Sequence, residues 1–277
     1  MRSRMSYERE TFERWMRIRG YSEKTVSEYS LGARRCNASI MYPLAAITLK
    51  DLEAWMETLP ATPSSQALGR KSMRCFLDFA GVVPNLASSL ELRPQVQGLP
   101  KPLSPDDHLQ WIEAAHRLGG IFEELGLLMA TSGARMSEVS EAQWADIDFS
   151  GATWRIRGKG SNRSGIRWRQ LPLHPSVVIL LKNRRTRLGG IYVFEEKGHP
   201  IGSNKLRAKV ITIGEAAGLG HVIPHRIRHT VATSALSSCG DLRAVQELLG
   251  HASIQSTQIY TQVLPGRLSS LVDILPS

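Results

Sequence analysis

Cysteine is scarce in this chain of 277 residues: Cys36, Cys75 and Cys239 are odd in number and far apart. Such a set suits neither the disulfide framework of a small secreted domain nor the paired spacing of a zinc ribbon. The three read as core residues in a reducing compartment. No stretch approaches eighteen consecutive apolar residues, and the opening segment MRSRMSYERE lacks the apolar run of a signal peptide. Neither a membrane span nor a membrane partner is expected, and the expected location is cytoplasmic. The glycine-rich loop of nucleotide-binding proteins is missing, as are carboxylates at a spacing suited to two-metal phosphoryl transfer. No internal repeat is found.

Acidic residues are outnumbered. Thirty-five Lys and Arg against 25 Asp and Glu leave a net charge of +10. Residues 1–100 carry 14 basic minus 10 acidic, or +4, and the remainder 21 minus 15, or +6. Both halves favour a polyanionic partner, which by charge alone includes DNA, RNA or an acidic membrane.

The length permits two domains, each with its own core. Helical periodicity covers 6–19, ended by Gly20, and 23–37 after Ser22. It continues over 49–58 after Thr48, with Asp51 three residues on, and over 64–80 after Thr62 and Pro63. Four such helices make a small bundle over 1–90. The segment ELRPQVQGLPKPLSPDD is rich in proline and aperiodic, so 91–103 reads as a linker. Ser104, Pro105 and Asp107 then open a second domain, 104–277, mostly helical with a small three-stranded antiparallel sheet near 142–173. The fold class is mainly α.

Six polar residues in the second half stand out. Arg135 follows Ser132 and Gly133 where the buried-helix pattern IFEELGLLMATSG stops; taken alone it is a helix-terminal arginine paired with Glu138. Lys159 lies between Gly158 and Gly160 at an expected hairpin tip. Around it Arg155, Arg157, Arg163, Arg167 and Arg169 cluster with no acid, interleaved by Trp154 and Trp168, which suits a phosphate backbone. His225 and Arg228 share one helix face behind Pro224, where helix amides favour an anion. His221, His225 and His229 repeat every fourth residue, but Pro224 pushes His221 off the helix and spoils a zinc register. His251 follows Gly250, which ends a helix capped by Asp241. Tyr260 lies about two turns into the next short helix, so the two can meet only across the fold.

The stretches TSGARMSEV (131–139), RGKGS (157–161), HRIRHTVAT (225–233) and LGHASIQSTQIY (249–260) resemble the motif series of the tyrosine recombinases, or phage-integrase family. The resemblance spans roughly 100–265, with all six residues in family order. Two departures occur: TSGAR replaces a TGLR-like form, and Arg226 stands where that family often carries an acid. The resemblance implies a core-type DNA-binding domain in the first half, a catalytic domain in the second, and a compact form without an arm-type domain.

It also implies the chemistry. A phenol is only about one thousandth ionised at pH 7, and forming phenolate outright costs about 4 kcal/mol. Arg135 and Arg228 would neutralise the phosphate and its transition state, and His225 would accept the Tyr260 proton. Lys159 would protonate the departing 5′ oxygen, and His251 would donate to a non-bridging oxygen. One phosphodiester is exchanged for another through a 3′-phosphotyrosyl intermediate, so no cofactor or metal is expected. Further DNA contacts are expected from Arg70, Lys71 and Arg74, from Arg155 and Arg163, and from Lys205, Arg207 and Lys209 on a helix over 203–217. The partners implied are double-stranded core sites and further copies forming a tetramer on DNA, with room for a directionality factor. The tail beyond Tyr260 carries Leu264, Leu268, Leu271 and Leu275 at helical spacing and docks either on its own domain or on a neighbour.

The favoured reading is a site-specific recombinase that integrates and excises a phage or mobile element. A Xer-like resolvase of chromosome or plasmid dimers is the alternative. A non-catalytic DNA-binding protein and a type IB topoisomerase are rivals of other classes.

Overall fold

A computed structural model describes residues 9–39, 46–92, 101–158, 168–250, 257 and 260. The chain divides into two compact units, Met1–Gln97 and Gly98–Ser277.

The first unit holds α1 (Arg9–Ile18), α2 (Glu23–Ser39), α3 (Leu49–Glu57) and α4 (Pro63–Phe79). The starts follow the expected capping chemistry. Thr48 Oγ1 accepts the Asp51 amide at 3.3 Å while the Asp51 carboxylate accepts the Thr48 amide at 2.8 Å, a reciprocal capping box. Thr62 caps α4 with Pro63 in its first turn. Phe12, Met16, Val26, Leu52, Trp55, Met73 and Phe76 fill the space between the helices. Helices α2 and α4 approach closely because Gly32 has no side chain: a Cβ there would fall 2.2 Å from Ser72 Oγ, which instead donates to the Tyr29 carbonyl at 2.9 Å.

The second unit opens with α5 (Pro105–Leu118), capped by Ser104, and α6 (Gly120–Ser132). After the short α7 (Met136–Ser140) come β1 (Ile147–Asp148), β2 (Thr153–Arg157) and β3 (Trp168–Pro172), an antiparallel sheet in that order. Trp154 pairs with Leu171 and Arg157 with Trp168. Alternation works as read: Trp154 and Ile156 are buried while Arg155 and Arg157 face outward. The β2–β3 connection, with Lys159 and Arg163, lies outside the described residues, as do His251 and the tail after Tyr260.

Helix α8 (Pro175–Leu188) precedes a second, two-stranded sheet of β4 (Glu195–Glu196) and β5 (His199–Pro200). Strands of two residues offer no alternation to read, and this sheet was not expected. Helices α9 (Ser203–Ala216), α10 (Pro224–Cys239) and α11 (Leu242–Leu249) complete the unit. The apolar α6 is central, packing against α5, α8, α9 and α10. Trp111, Leu125, Leu128, Leu181, Phe194, Leu206, Ile213 and Ile227 form the core around it. No helix among the described residues is long and apolar enough to cross a membrane.

One ion pair sits inside this core. Arg184 on α8 bonds the Glu124 carboxylate and, through Nε, the Val193 carbonyl at 2.6 Å; Arg187 adds a bond to Glu124 at 2.7 Å. Removing one partner strands the other charge away from water. Glu124→Ala is therefore expected to lower stability by about 3–5 kcal/mol in urea unfolding of the second unit. A loss below about 1 kcal/mol would mean that water reaches Arg184.

Candidate active site

The site is built on helix ends. Helix α6 stops at Gly133, whose φ of 61° is left-handed. A Cβ there would press on Val231 at 3.2 Å and Leu249 at 3.3 Å, so glycine is needed for both the turn and the packing. The chain then delivers Arg135 to the entrance of α7. Its backbone amide donates to Glu138 Oε2 at 2.8 Å, and its guanidinium donates to Glu138 Oε1 at 2.9 Å and to the Gly250 carbonyl at 3.1 Å.

Arg228, on α10, is 2% exposed. Its two terminal nitrogens donate to the Gly133 and Leu249 carbonyls, each at 2.6 Å. These acceptors belong to the carboxyl ends of α6 and α11, where the helix dipole is negative. That placement compensates a buried cation. A guanidinium carries five N–H donors, so these bonds use only part of its capacity. Burial, followed by the neighbouring Arg135 charge, lowers the Arg228 pKa to about 10, still cationic at pH 7.

Glu138 ties the cations together. Besides Arg135 it accepts both terminal nitrogens of Arg169 on β3, each at 2.8 Å. Burial pushes its carboxyl up, but the bonds and charges of Arg169 and Arg135 outweigh that and hold it below the ordinary range. The Arg169 guanidinium lies against Gly250, where a Cβ would meet Nη1 at 2.5 Å.

Tyr260 is 1% exposed and packs on Ala232, Leu236, Val245 and Leu249. Its hydroxyl hydrogen-bonds His229 Nδ1 at 2.9 Å. His225, the expected proton acceptor, lies against His229 instead, ring centroids 4.6 Å apart. His221 precedes α10, as the Pro224 argument expects. Burial raises the Tyr260 pKa, opposed by the charges of Arg228 and Arg135. Burial, then Arg228 and Arg135, lowers that of His225. His229 is lowered to about 4, by burial first and then by His225 and Arg228. Both imidazoles are thus biased toward the neutral form.

The fold thus gathers Arg135, His225, Arg228 and Tyr260 into one cationic locality; Lys159 and His251 lie outside the described residues. The chain runs from Gly250, which Arg135 and Arg169 touch, directly into His251. Of the expected DNA contacts, Lys71, Arg74 and Arg207 are exposed. Arg70 is committed within its own unit, bonding the Ala87 and Ser88 carbonyls at 3.2 and 2.9 Å. Arg155 pairs with Asp146 at 3.1 Å and covers the Trp168 ring. Lys205 pairs with Glu196 at 2.7 Å, and Lys209 lies over the Phe122 ring. Arg163 is outside the described residues. The departure at Arg226 is absorbed locally, its Nε donating to the Lys101 carbonyl at 3.1 Å.

The model of the Phage integrase family matches residues 106–267. Tyrosine recombinase XerC of Corynebacterium efficiens is 31% identical over 270 residues, covering 90% of this chain and 84% of that protein. The chain is a tyrosine recombinase of that family. Among solved structures, XerA recombinase aligns over 97% of this chain and 98% of its own, at 25% identity and a TM-score of 0.56. A lambda integrase tetramer bound to a Holliday junction covers 91% of this chain and 75% of its own, at 19% identity and a TM-score of 0.69, which speaks to fold. The recombinase is accordingly an enzyme that cleaves and rejoins DNA strands.

Sequence reasoning missed three contributors to the recombinase site. Glu138 was read only as a local partner of Arg135, Arg169 as one cation of a cluster, and His229 as part of a failed zinc register. Spacing signalled the first; the other two contacts are made across the fold, where no local spacing reports them.

The depressed Glu138 carboxyl has a pH signature. Its stabilising effect is present above the unfolded glutamate pKa and is lost as pH falls through the folded value. Glu138→Gln is therefore expected to be less stable than the parent by about 3 kcal/mol at pH 7, with the gap narrowing below about pH 4. Melting curves of both across pH check this, and a gap independent of pH would rule out the carboxylate as its source.

Proposed function

We propose that this recombinase is a Xer-like resolvase, cutting and rejoining directly repeated DNA core sites through Tyr260. The observation that carries the nucleophile assignment is the phenol, held by a neutral imidazole beside two guanidiniums that polarise it. Support for resolution over phage integration, the reading favoured from sequence, comes from the likeness to XerC along most of both chains.

In this reading residues 1–90 are the core-type DNA-binding domain and 104–277 the catalytic domain. Arg135 and Arg228 flank the scissile phosphate, each able to match charge spread over its oxygens. His225, on the first turn of α10, contacts the same phosphate where helix amides favour it. Lys159 protonates the departing 5′ oxygen and His251 donates to a non-bridging oxygen. Two duplexes offer four strands and each chain one nucleophilic tyrosine, so complete exchange takes four copies. The lambda integrase structure on a Holliday junction is a tetramer, which supports that count.

Incubation with suicide duplexes of candidate core sites is expected to trap a covalent protein–DNA adduct, abolished by Tyr260→Phe. No adduct on any such site would favour a DNA-binding role without chemistry. A plasmid carrying two directly repeated sites is expected to resolve into two circles; relaxation of supercoils without resolution would instead indicate a topoisomerase. Lys159→Ala is expected to slow cleavage at an ordinary 5′ oxygen at least a hundredfold. A 5′-bridging phosphorothioate, whose leaving group needs no acid, is expected to restore the rate, and failure to do so would remove the lysine from this role.

A further inference from the structure

We infer that His229 is a catalytic residue of this recombinase, the group that takes the Tyr260 proton during attack. The inference rests on Tyr260 being the nucleophile, as proposed above, and on geometry. Nδ1 of His229 stands 2.9 Å from the phenol oxygen, within reach for direct proton transfer. Tyr260 is 1% exposed, so bulk water is not at hand to receive the proton. His225 reaches the tyrosine through His229: their rings meet edge to face at 4.6 Å, and the His229 and Tyr260 rings lie 5.4 Å apart.

The step balances without a co-reactant. The Tyr260 O–H bond breaks, its proton passes to His229 Nδ1, and the phenol oxygen forms a bond to phosphorus. The bond from phosphorus to the 5′ oxygen breaks, and that oxygen takes a proton from Lys159. On religation each transfer reverses.

The charges facing His229 explain when it can act. On its own helix are His225 and Arg228, and Tyr260 faces it from the C-terminal segment. In the free protein burial first, and then His225 and the Arg228 charge, oppose a further positive charge, so His229 is a hydrogen-bond acceptor with little appetite for a proton. A bound phosphate neutralises Arg228 and so lessens the electrostatic part of that opposition. Proton transfer is thereby coupled to seating of DNA. The buried phenol is not ionised in its absence.

The test is single-turnover cleavage of a suicide duplex across pH, with thermal melting to confirm folding. His229→Asn places an acceptor oxygen near the position of Nδ1 but cannot take a proton; His229→Ala removes both functions. Both are expected to cleave at least a hundredfold more slowly at pH 7, the deficit shrinking about tenfold per pH unit toward the phenol pKa. Asn restoring the parental rate within a few fold, or a deficit that is flat with pH, would overturn the inference and leave His229 as a support for the tyrosine. Either variant, if folded, decides the matter. Tyr260→Phe run alongside separates the two claims: an adduct persisting in that variant sinks the nucleophile assignment, whereas its loss together with parental rates in both His229 variants sinks only the role of His229.

Discussion

A buried guanidinium holding two helix ends is the constraint on which the second unit depends. Arg228 can be buried because the carbonyls of Gly133 and Leu249 arrive from the carboxyl ends of α6 and α11, bringing hydrogen-bond acceptors and negative dipole ends together. The same bonds fix where α6 hands over to Arg135 and where α11 hands over to the segment of His251 and Tyr260. A buried cation would be a liability if it were not also the tie between the elements that form its surroundings.

The other cations are managed differently. Arg135 and Arg169 converge on Glu138, so a single carboxylate joins the α6–α7 turn to the sheet whose β2–β3 connection contains Lys159. Without it, two like charges would repel across the mouth of the site. The arrangement retains an excess of positive charge, which a backbone phosphate can neutralise. Burial first, and this positive charge second, bias both histidines toward the neutral form.

Much of the local structure was legible. Thr48 with Asp51, Thr62 with Pro63, Ser104 with Asp107, Gly133, Pro224, Asp241 and Gly250 mark helix ends by chemistry that acts within four residues. Alternation around Trp154 and Ile156 marked the sheet for the same reason. The β4–β5 pair escaped because two-residue strands have no period. Sequence alone marks Arg70 as a DNA contact because nothing local distinguishes an exposed helical arginine from one reaching the Ala87 and Ser88 carbonyls, 17 and 18 residues on. The favoured biological role also shifted, from phage integration to Xer-like resolution, because both roles use the same catalytic residue types and only likeness along the whole chain bears on the difference.

The chain alone determined its helix boundaries, its fold class and the types of group available for catalysis, since capping, periodicity and residue chemistry are short-range properties. Only the tertiary structure decided which groups meet. His229 and Tyr260 are 31 residues apart, Arg135 and Gly250 are 115 apart, and no spacing rule spans such intervals. They are brought together by packing of α6, α10 and α11 around Arg228, and that packing placed the tyrosine against His229 where sequence reasoning had placed it against His225.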